Sequence, residues 1–277
     1  MIKKELHLKA DNEQEAANGR LSCFVDISRS GIQLLKLNDK FKAVEFASWS
    51  FPHSSTDSVW TERMKEVLGQ EELTNAIIGN RNCKFSVSDN QVVLIPEALF
   101  SEAEKEKQFD FLFDDNQEAT IITQKLSNTD AIGLFSIPKS VKEALDGNIS
   151  SSFLTWTDSI LGNSSGIKVY SILDEKQFSL TILKEGKLQF SNWFQYSKGD
   201  DVLYFLMASL ESLNILHSEI ELILGGEVEK GDATFNVLSR FISKIFFLKR
   251  PKNLTYSYSF SQLAEHRFPF IFAAACA

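Results

Sequence analysis

The sequence predicts an α/β protein of two similar units, each a mixed sheet of three antiparallel strands followed by parallel strands and flanked by helices. Three observations carry this. The second half reads as three short strands, then helix, strand, helix, strand, helix. The first half opens with the same three strands and a helix. The segments "GIQLLKLNDKFKAVEF" (31–46) and "FSLTILKEGKLQFSNW" (178–193) each set two strands around a turn ending in Asp/Gly-Lys.

Residues 1–20 are polar, and the reading leaves them partly mobile. The first strand is "LSCFVDI" (21–27) and the second "GIQLLKL" (31–37). The third is "FKAVEFASWSF" (41–51), loosely alternating, and tight turns join the three into an antiparallel meander. A helix starts near Asp57, with Val59, Trp60, Met64, Val67 and Leu68 on one face and Gly69 as its stop. "VVLIPEALFSEAEKE" (92–106) and "GLFSIPKSVKEALDG" (133–147) echo each other, each running from an apolar strand through Ile-Pro into a helix. Pro96 and Pro138 suit the first helical position, where a missing N–H is harmless. "KQFDFLFDDNQEAT" (107–120) reads as a loop or short helical turn, and "TIITQKL" (120–126) as a strand.

"GNISSSF" (147–153) and "LGNSSGI" (161–167) are rich in Gly, Asn and Ser and read as loops. The second sets a division between an N-terminal unit, 1–163, with an inserted segment at about 84–147, and a C-terminal unit, 164–277. In the C-terminal unit "KVYSILDE" (168–175), "QFSLTILKEG" (177–186) and "KLQFSNWFQY" (187–196) are strands. A helix follows at 197–216, with Asp200 placed to cap it and Leu203, Leu206, Met207, Leu210 and Leu213 as its buried stripe. "EIELILGG" is a short apolar strand of the parallel, covered kind. Asp232 caps a helix whose Phe235, Leu238, Phe241, Ile242 and Ile245 face inward, and "IFFLKR" is the last strand. "FSQLAEHRF" starts a terminal helix that Pro269 ends or kinks.

Composition narrows the function classes. The chain has 277 residues, 43% of them hydrophobic, with 23 phenylalanines, enough for an ordered core without covalent staples. Its formal charge of −8 argues against nucleic-acid binding. The basic cluster Lys244, Lys249, Arg250 and Lys252 reads as the solvated end of a helix and strand, with an anion site as the alternative. Cys23, Cys83 and Cys276 are far apart, and with His7, His53, His217 and His266 they form neither a disulfide framework nor a metal-ligand spacing. No signal peptide and no membrane-spanning run is read, so the expectation is a cytoplasmic protein.

The element order, given twice, resembles the actin-like ATPase fold, a duplicated RNase H-like domain. Gly186, Leu188 and Phe190 of the hairpin, followed by Leu222-Ile223-Leu224-Gly225-Gly226, are similar to a pattern in the actin-like proteins of type IV pilus assembly and type II secretion. As a whole the chain resembles an uncharacterised bacterial family, a domain of unknown function, chiefly through "LIPEALF" (94–100).

The resemblance implies where a nucleotide binds in active relatives. Two strand-turn-strand hairpins of the form Asp-x-Gly wrap the phosphates, their aspartates arrange Mg²⁺ and the attacking water, and a glycine pair lies against the adenosine. Here Asp26 keeps the first aspartate, but Ser28 stands in place of the glycine and Gly31 comes late. The second hairpin offers Asp174 beside Glu175 and Lys176, with no glycine between Gly166 and Gly186. Gly225 and Gly226 keep the third part, unless they serve only a positive-φ turn.

Asp26, Gly225 and Gly226 are therefore the cofactor-binding candidates, with no catalytic and no metal-ligating residue assigned. The expected function is a non-catalytic, pseudo-ATPase scaffold that binds a protein partner, with no cofactor. The alternative is a divergent nucleotide-dependent enzyme, an ATPase or small-molecule kinase using ATP and Mg²⁺. Trp49, Trp60, Trp156 and Trp193 are core residues or, if exposed, the interface of a homodimer.

Overall fold

Residues of "SCFVDIS" are buried on both faces, which suits a central strand. The computed structural model describes residues 2–10, 21–52, 56–71, 73–74, 83–89, 91–113, 118–145, 148–162 and 164–277. In chain order its strands are β1 (Lys3–Lys9), β2 (Ser22–Ser28), β3 (Gly31–Leu37), β4 (Lys42–Ser50), β5 (Cys83–Ser88), β6 (Val92–Pro96), β7 (Ala119–Lys125) and β8 (Ala131–Pro138). They continue as β9 (Ile149–Ser151), β10 (Ile167–Leu173), β11 (Gln177–Lys184), β12 (Lys187–Gln195), β13 (Ile220–Gly226), β14 (Ile245–Phe247) and β15 (Thr255–Tyr256). The α-helices that matter below are α1 (Asp57–Leu68), α2 (Lys105–Asp110), α3 (Lys139–Ala144), α4 (Ser152–Ile160), α5 (Gly199–Ser212), α6 (Ala233–Leu238) and α7 (Pro269–Ala274).

Two sheets repeat one order. The first runs β4-β3-β2-β5-β9 with β1 on its edge, and the second runs β12-β11-β10-β13-β14. In each, the first three strands are antiparallel and the last two join in parallel. The expected α/β architecture of two mixed sheets is therefore present, and the hairpin similarity in the sequence reflects equivalent strand pairs. A third sheet, β6-β8-β7, lies in the sequence between β5 and β9. The two echoing apolar segments pair with each other there, Val92 opposite Phe135 and Pro96 opposite Ala131.

The core falls into clusters set by strand faces. Val25 and Ile27 of β2 meet Trp60, Met64 and Val67 of α1. Phe24, on the opposite face, joins Phe46, Phe260 and Phe272. The second sheet packs Phe178, Leu180 and Ile182 against Val202, Leu206 and Leu210 of α5. Between the sheets, α4 lies on α7. Trp156 meets Tyr170 and Phe270 at 5.7 and 5.9 Å, and Trp193 meets Phe153 and Phe270 at 5.4 and 5.8 Å.

Several expectations change. Residues 3–9 form a strand, pairing antiparallel with β4, while 11–20 lie outside the described residues. Within "GNISSSF", whose Gly147 lies outside the described residues, Ile149–Ser151 is a strand pairing parallel with β5, and the Ser151 hydroxyl caps α4 by accepting from the Leu154 N–H. Pro96 and Pro138 end strands and sit one residue before their helical segments, not inside them. Asp201 rather than Asp200 holds the start of α5, accepting from the Ser197 and Lys198 N–H groups at 2.9 and 3.1 Å. Phe241 is half exposed because α6 ends at Leu238. Pro269 begins the terminal helix, since Phe268 before it takes a left-handed φ of 57° and turns the chain. Trp49, Trp60, Trp156 and Trp193 are all buried, which removes them as an exposed dimer interface.

The tail also crosses the division at 163/164. β15 pairs with β4, and Leu254, Phe260, Ile271 and Phe272 cover the first sheet. Among the described residues no helix is long and apolar enough to cross a membrane.

Candidate functional site

Two turns meet across the cleft between the sheets. The first, residues 28–31, joins β2 to β3, and the second, 174–177, joins β10 to β11. The Ser30 hydroxyl lies 3.4 Å from Asp174 Oδ2, so the hairpins touch.

Each turn closes on itself. Ser28 Oγ donates to the Gly31 carbonyl at 3.2 Å and accepts from the Ser30 N–H at 3.3 Å. In the second turn the Asp174 N–H donates to the Gln177 carbonyl at 2.8 Å. Asp174's own carboxylate accepts from the Glu175 N–H at 2.8 Å, and the Tyr196 hydroxyl donates to the Asp174 carbonyl at 2.7 Å. Side chains thus occupy amides that a glycine turn leaves bare.

Asp26 is buried at 2% exposure, on the β2 face that looks toward α4 and α7. Parallel pairing with β5 sets Ser86 opposite it. Its carboxylate accepts from Ser86 at 2.7 Å, from Ser88 at 3.1 Å, and from Ser152 at the start of α4. Burial raises its pKa; the three serine donors pull the other way, and the nearby Asp174 charge adds to the rise.

Gly225 and Gly226 end β13. Gly226 has a φ of 80°, its N–H donates to the His266 carbonyl at 2.8 Å, and a β-carbon there would overlap the Leu173 carbonyl oxygen. At Gly225 a β-carbon would come 2.8 Å from Ile172 Cδ1. The pair lets two parallel strands and the 266–268 segment approach closely.

Sequence reasoning passed over the residues that stiffen the first turn. Arg29 donates to both Asp89 oxygens at 3.0 and 2.9 Å and to Asp57 at 2.9 Å. Its guanidinium lies 4.7 Å from the Trp60 ring, whose Nε1 donates to the Ser28 carbonyl at 2.8 Å. An arginine in the middle of "ISRSG" was the only signal for this. The spacing of Cys23 and Cys83 suggested nothing, but parallel pairing puts their sulfurs 3.2 Å apart. The basic cluster is dispersed: Lys249 pairs with Glu265 at 2.8 Å, and Arg250 donates to the Phe260 and Leu263 carbonyls.

A cavity of about 550 Å³ opens between the turns, reaching Asp26, Ser28, Asp174, Gly226, Trp49 and Trp193. Among the described residues no cluster of three His, Cys, Asp or Glu side chains could hold a metal ion.

Two sheets of one strand order, facing each other with their β-hairpin turns at a shared cleft, define the actin-like ATPase fold. The chain belongs to the family described as "Protein of unknown function (DUF3822)", whose model matches residues 10–245. It is similar to a protein with actin-like ATPase fold and unknown function from Bacteroides thetaiotaomicron VPI-5482, with a TM-score of 0.77 at 16% identity over 95% of this chain and 98% of that one. It is also similar to a chain of the PilM-PilN type IV pilus biogenesis complex, with a TM-score of 0.62 at 13% identity over 93% and 97%. At such identities the likeness is one of fold. A search of curated proteins finds no match in sequence.

Proposed function

We propose that this protein is a non-catalytic actin-like protein, a cytoplasmic scaffold that binds a protein partner without using a nucleotide. The observation that carries this reading is the closure of both hairpin turns on their own side chains. A triphosphate needs bare backbone N–H groups and a carboxylate open to Mg²⁺. Here the Ser30 and Glu175 amides point at side-chain oxygens of the same turn. Asp26 is surrounded by three hydroxyls, and the glycine pair is engaged with Leu173 and His266. The residues present do not fit ATP and Mg²⁺.

Partner binding is supported by the fold's similarity to a protein solved in a complex, PilM-PilN. The alternative, a divergent ATPase or small-molecule kinase, rests on Asp26 and Gly225-Gly226. Calorimetry with ATP and Mg²⁺ separates the two. The scaffold reading expects no heat of binding and no phosphate release, and micromolar binding rejects it.

A further inference from the structure

Cys23 and Cys83 stand 60 residues apart in the chain, yet the parallel register of β2 and β5 sets them directly opposite each other, with their sulfurs 3.2 Å apart. Both are free thiols. Neighbouring strands run about 4.8 Å apart, inside the span of about 4.4–6.8 Å between α-carbons that a disulfide accepts. The strand register therefore already holds the pair where an S–S bond can form, and turning the two side chains is enough. The third cysteine is no competitor. Cys276 packs on the opposite face of this sheet, in the cluster of Phe24, and its sulfur meets Asn253 Oδ1 at 3.2 Å.

The two sulfurs differ in what reaches them. Cys23 is 0% exposed and lies in the core cluster of Val25, Met64 and Val67, whereas Cys83, at the start of β5, is partly exposed. The Cys83 sulfur beside it, and then burial, push the Cys23 thiol up, while the charge of Lys36, opposite it on β3, pulls the other way. Cys23 thus keeps its proton, and Cys83 is the sulfur that an oxidant in solution meets. Among the described residues no third His, Cys, Asp or Glu completes a metal site with the pair. Oxidation is the chemistry that two facing thiols offer. Both cysteines sit at the ends of their strands away from the 28–31 turn, so the site is independent of what the cleft binds.

We propose that Cys23 and Cys83 are a reversible thiol-oxidation site, a dithiol at rest that a hydroperoxide converts into a disulfide tying β2 to β5. The Cys83 thiolate attacks the outer oxygen of the hydroperoxide. The O–O bond breaks, hydroxide or alkoxide leaves, and Cys83 becomes a sulfenic acid. The Cys23 sulfur then attacks the Cys83 sulfur. The S–S bond forms as the S–O bond breaks, and the hydroxyl departs with the Cys23 proton as water. A dithiol reductant reverses the oxidation. The bond closes a loop of 60 residues that holds β3, β4 and α1, so it restricts the unfolded chain and makes the oxidised protein the more stable form.

The test takes the full chain, reduced and folded, and adds a few equivalents of hydrogen peroxide at neutral pH. Its mass should fall by two hydrogens, titratable thiols should drop from three to one, and a non-reducing peptide map should join the Cys23 and Cys83 peptides. Melting should rise by several degrees and return with dithiothreitol. Cys276→Ser should leave the mass loss and the melting shift as they are. In that background, Cys23→Ser removes the resolving sulfur, so Cys83 should hold a sulfenic acid that dimedone captures. Cys83→Ser, in the same background, should leave Cys23 unreactive while the protein is folded.

Three results overturn the proposal: a folded parent that keeps all three thiols or gains oxygen on Cys83 without losing the two hydrogens, an oxidised form that melts below the reduced one, or a Cys83→Ser protein that reacts as fast as the parent. The mass and peptide map of the parent need no variant, so a serine variant that failed to fold would not shield the proposal.

Discussion

Asp26 and Ser86 lie directly opposite each other on adjacent parallel strands, and the serine hydroxyl donates to the carboxylate at 2.7 Å. With Ser88 and Ser152 the carboxylate has three buried donors, so it organises the junction of β2, β5 and α4. Its pKa nevertheless stands above the ordinary 3.8, because burial outweighs the donors.

The raised value has a signed consequence for stability. Between the unfolded pKa and the higher folded one, the native state holds more protons than the unfolded chain. The stabilisation is complete below the unfolded value and is lost as pH rises through the folded value. Asp26→Asn removes this titration and keeps hydrogen-bonding groups in place, so it should gain stability relative to the parent as pH climbs through that window. Asp26→Ala should instead lose about 1–3 kcal/mol, because three buried hydroxyls lose their acceptor. Urea unfolding in acidic and neutral buffer reads both variants. An Asn variant whose stability declines with pH as steeply as the parent's would show that Asp26 is not the group responsible.

Arg29 supports the first turn from behind. Its side chain is 14% exposed and that of Asp89 only 4%, so the pair is screened little by water. Arg29→Ala takes the cation away from the buried Asp89 carboxylate and should lose about 3–5 kcal/mol. Arg29→Lys keeps the charge but cannot reach both Asp89 oxygens while stacking on Trp60, so it should fall between parent and Ala. Denaturant midpoints order the three proteins, and a Lys variant as stable as the parent would remove the bidentate geometry from the explanation.

The glycine pair separates packing from ligand approach. Gly226→Ala forces a positive φ and a clash with the Leu173 carbonyl, so it should destabilise by more than about 1 kcal/mol. Gly225→Ala comes closest to the end of the Ile172 side chain, which can rotate, with the His266 carbonyl oxygen and Leu248 at 3.4 and 3.5 Å, and should be milder. Thermal unfolding of the two variants tests this. Equal, parent-like melting would mean that the pair is not needed for packing.

Much of the fold was legible because the hairpins and the parallel strand 220–226 carry their own periodicity and turn residues. At the 185–186 turn both residues take positive φ, the tight conformation that Glu-Gly supplies. What escaped was decided by tertiary pairing. β1, "KKELHLK", buries only Leu8 and exists because β4 offers it an edge. In α4, Ser152 through Thr157 are all buried, so no apolar stripe marks it as a helix. At the site, Asp26 was visible as an acid at a strand end. Its serine partners on β5 and at the start of α4 were not, since only the parallel register and the packing of α4 bring them together. The four tryptophans stood as core residues or an exposed interface, a choice that composition cannot make, and the structure buries all four.

The returning tail sets the last expectation. Phe272 is 1% exposed and packs with Phe46 at 6.2 Å, Tyr256 at 5.8 Å and Phe260 at 6.5 Å. Truncating it to alanine should cost about 3–5 kcal/mol. The larger consequence concerns where the chain can be cut. A fragment ending at residue 163 would keep all strands of the first sheet except β15 but lose Leu254, Phe260, Ile271 and Phe272 from the face bearing Phe24, Leu35 and Phe46. That face would then be an exposed apolar patch, and the fragment should aggregate or keep secondary structure without fixed packing. Adding residues 250–277 back through a flexible linker should restore near-ultraviolet circular dichroism and a cooperative melt. A well-packed 1–163 fragment on its own would show that the tail is an accessory rather than part of the first unit's core.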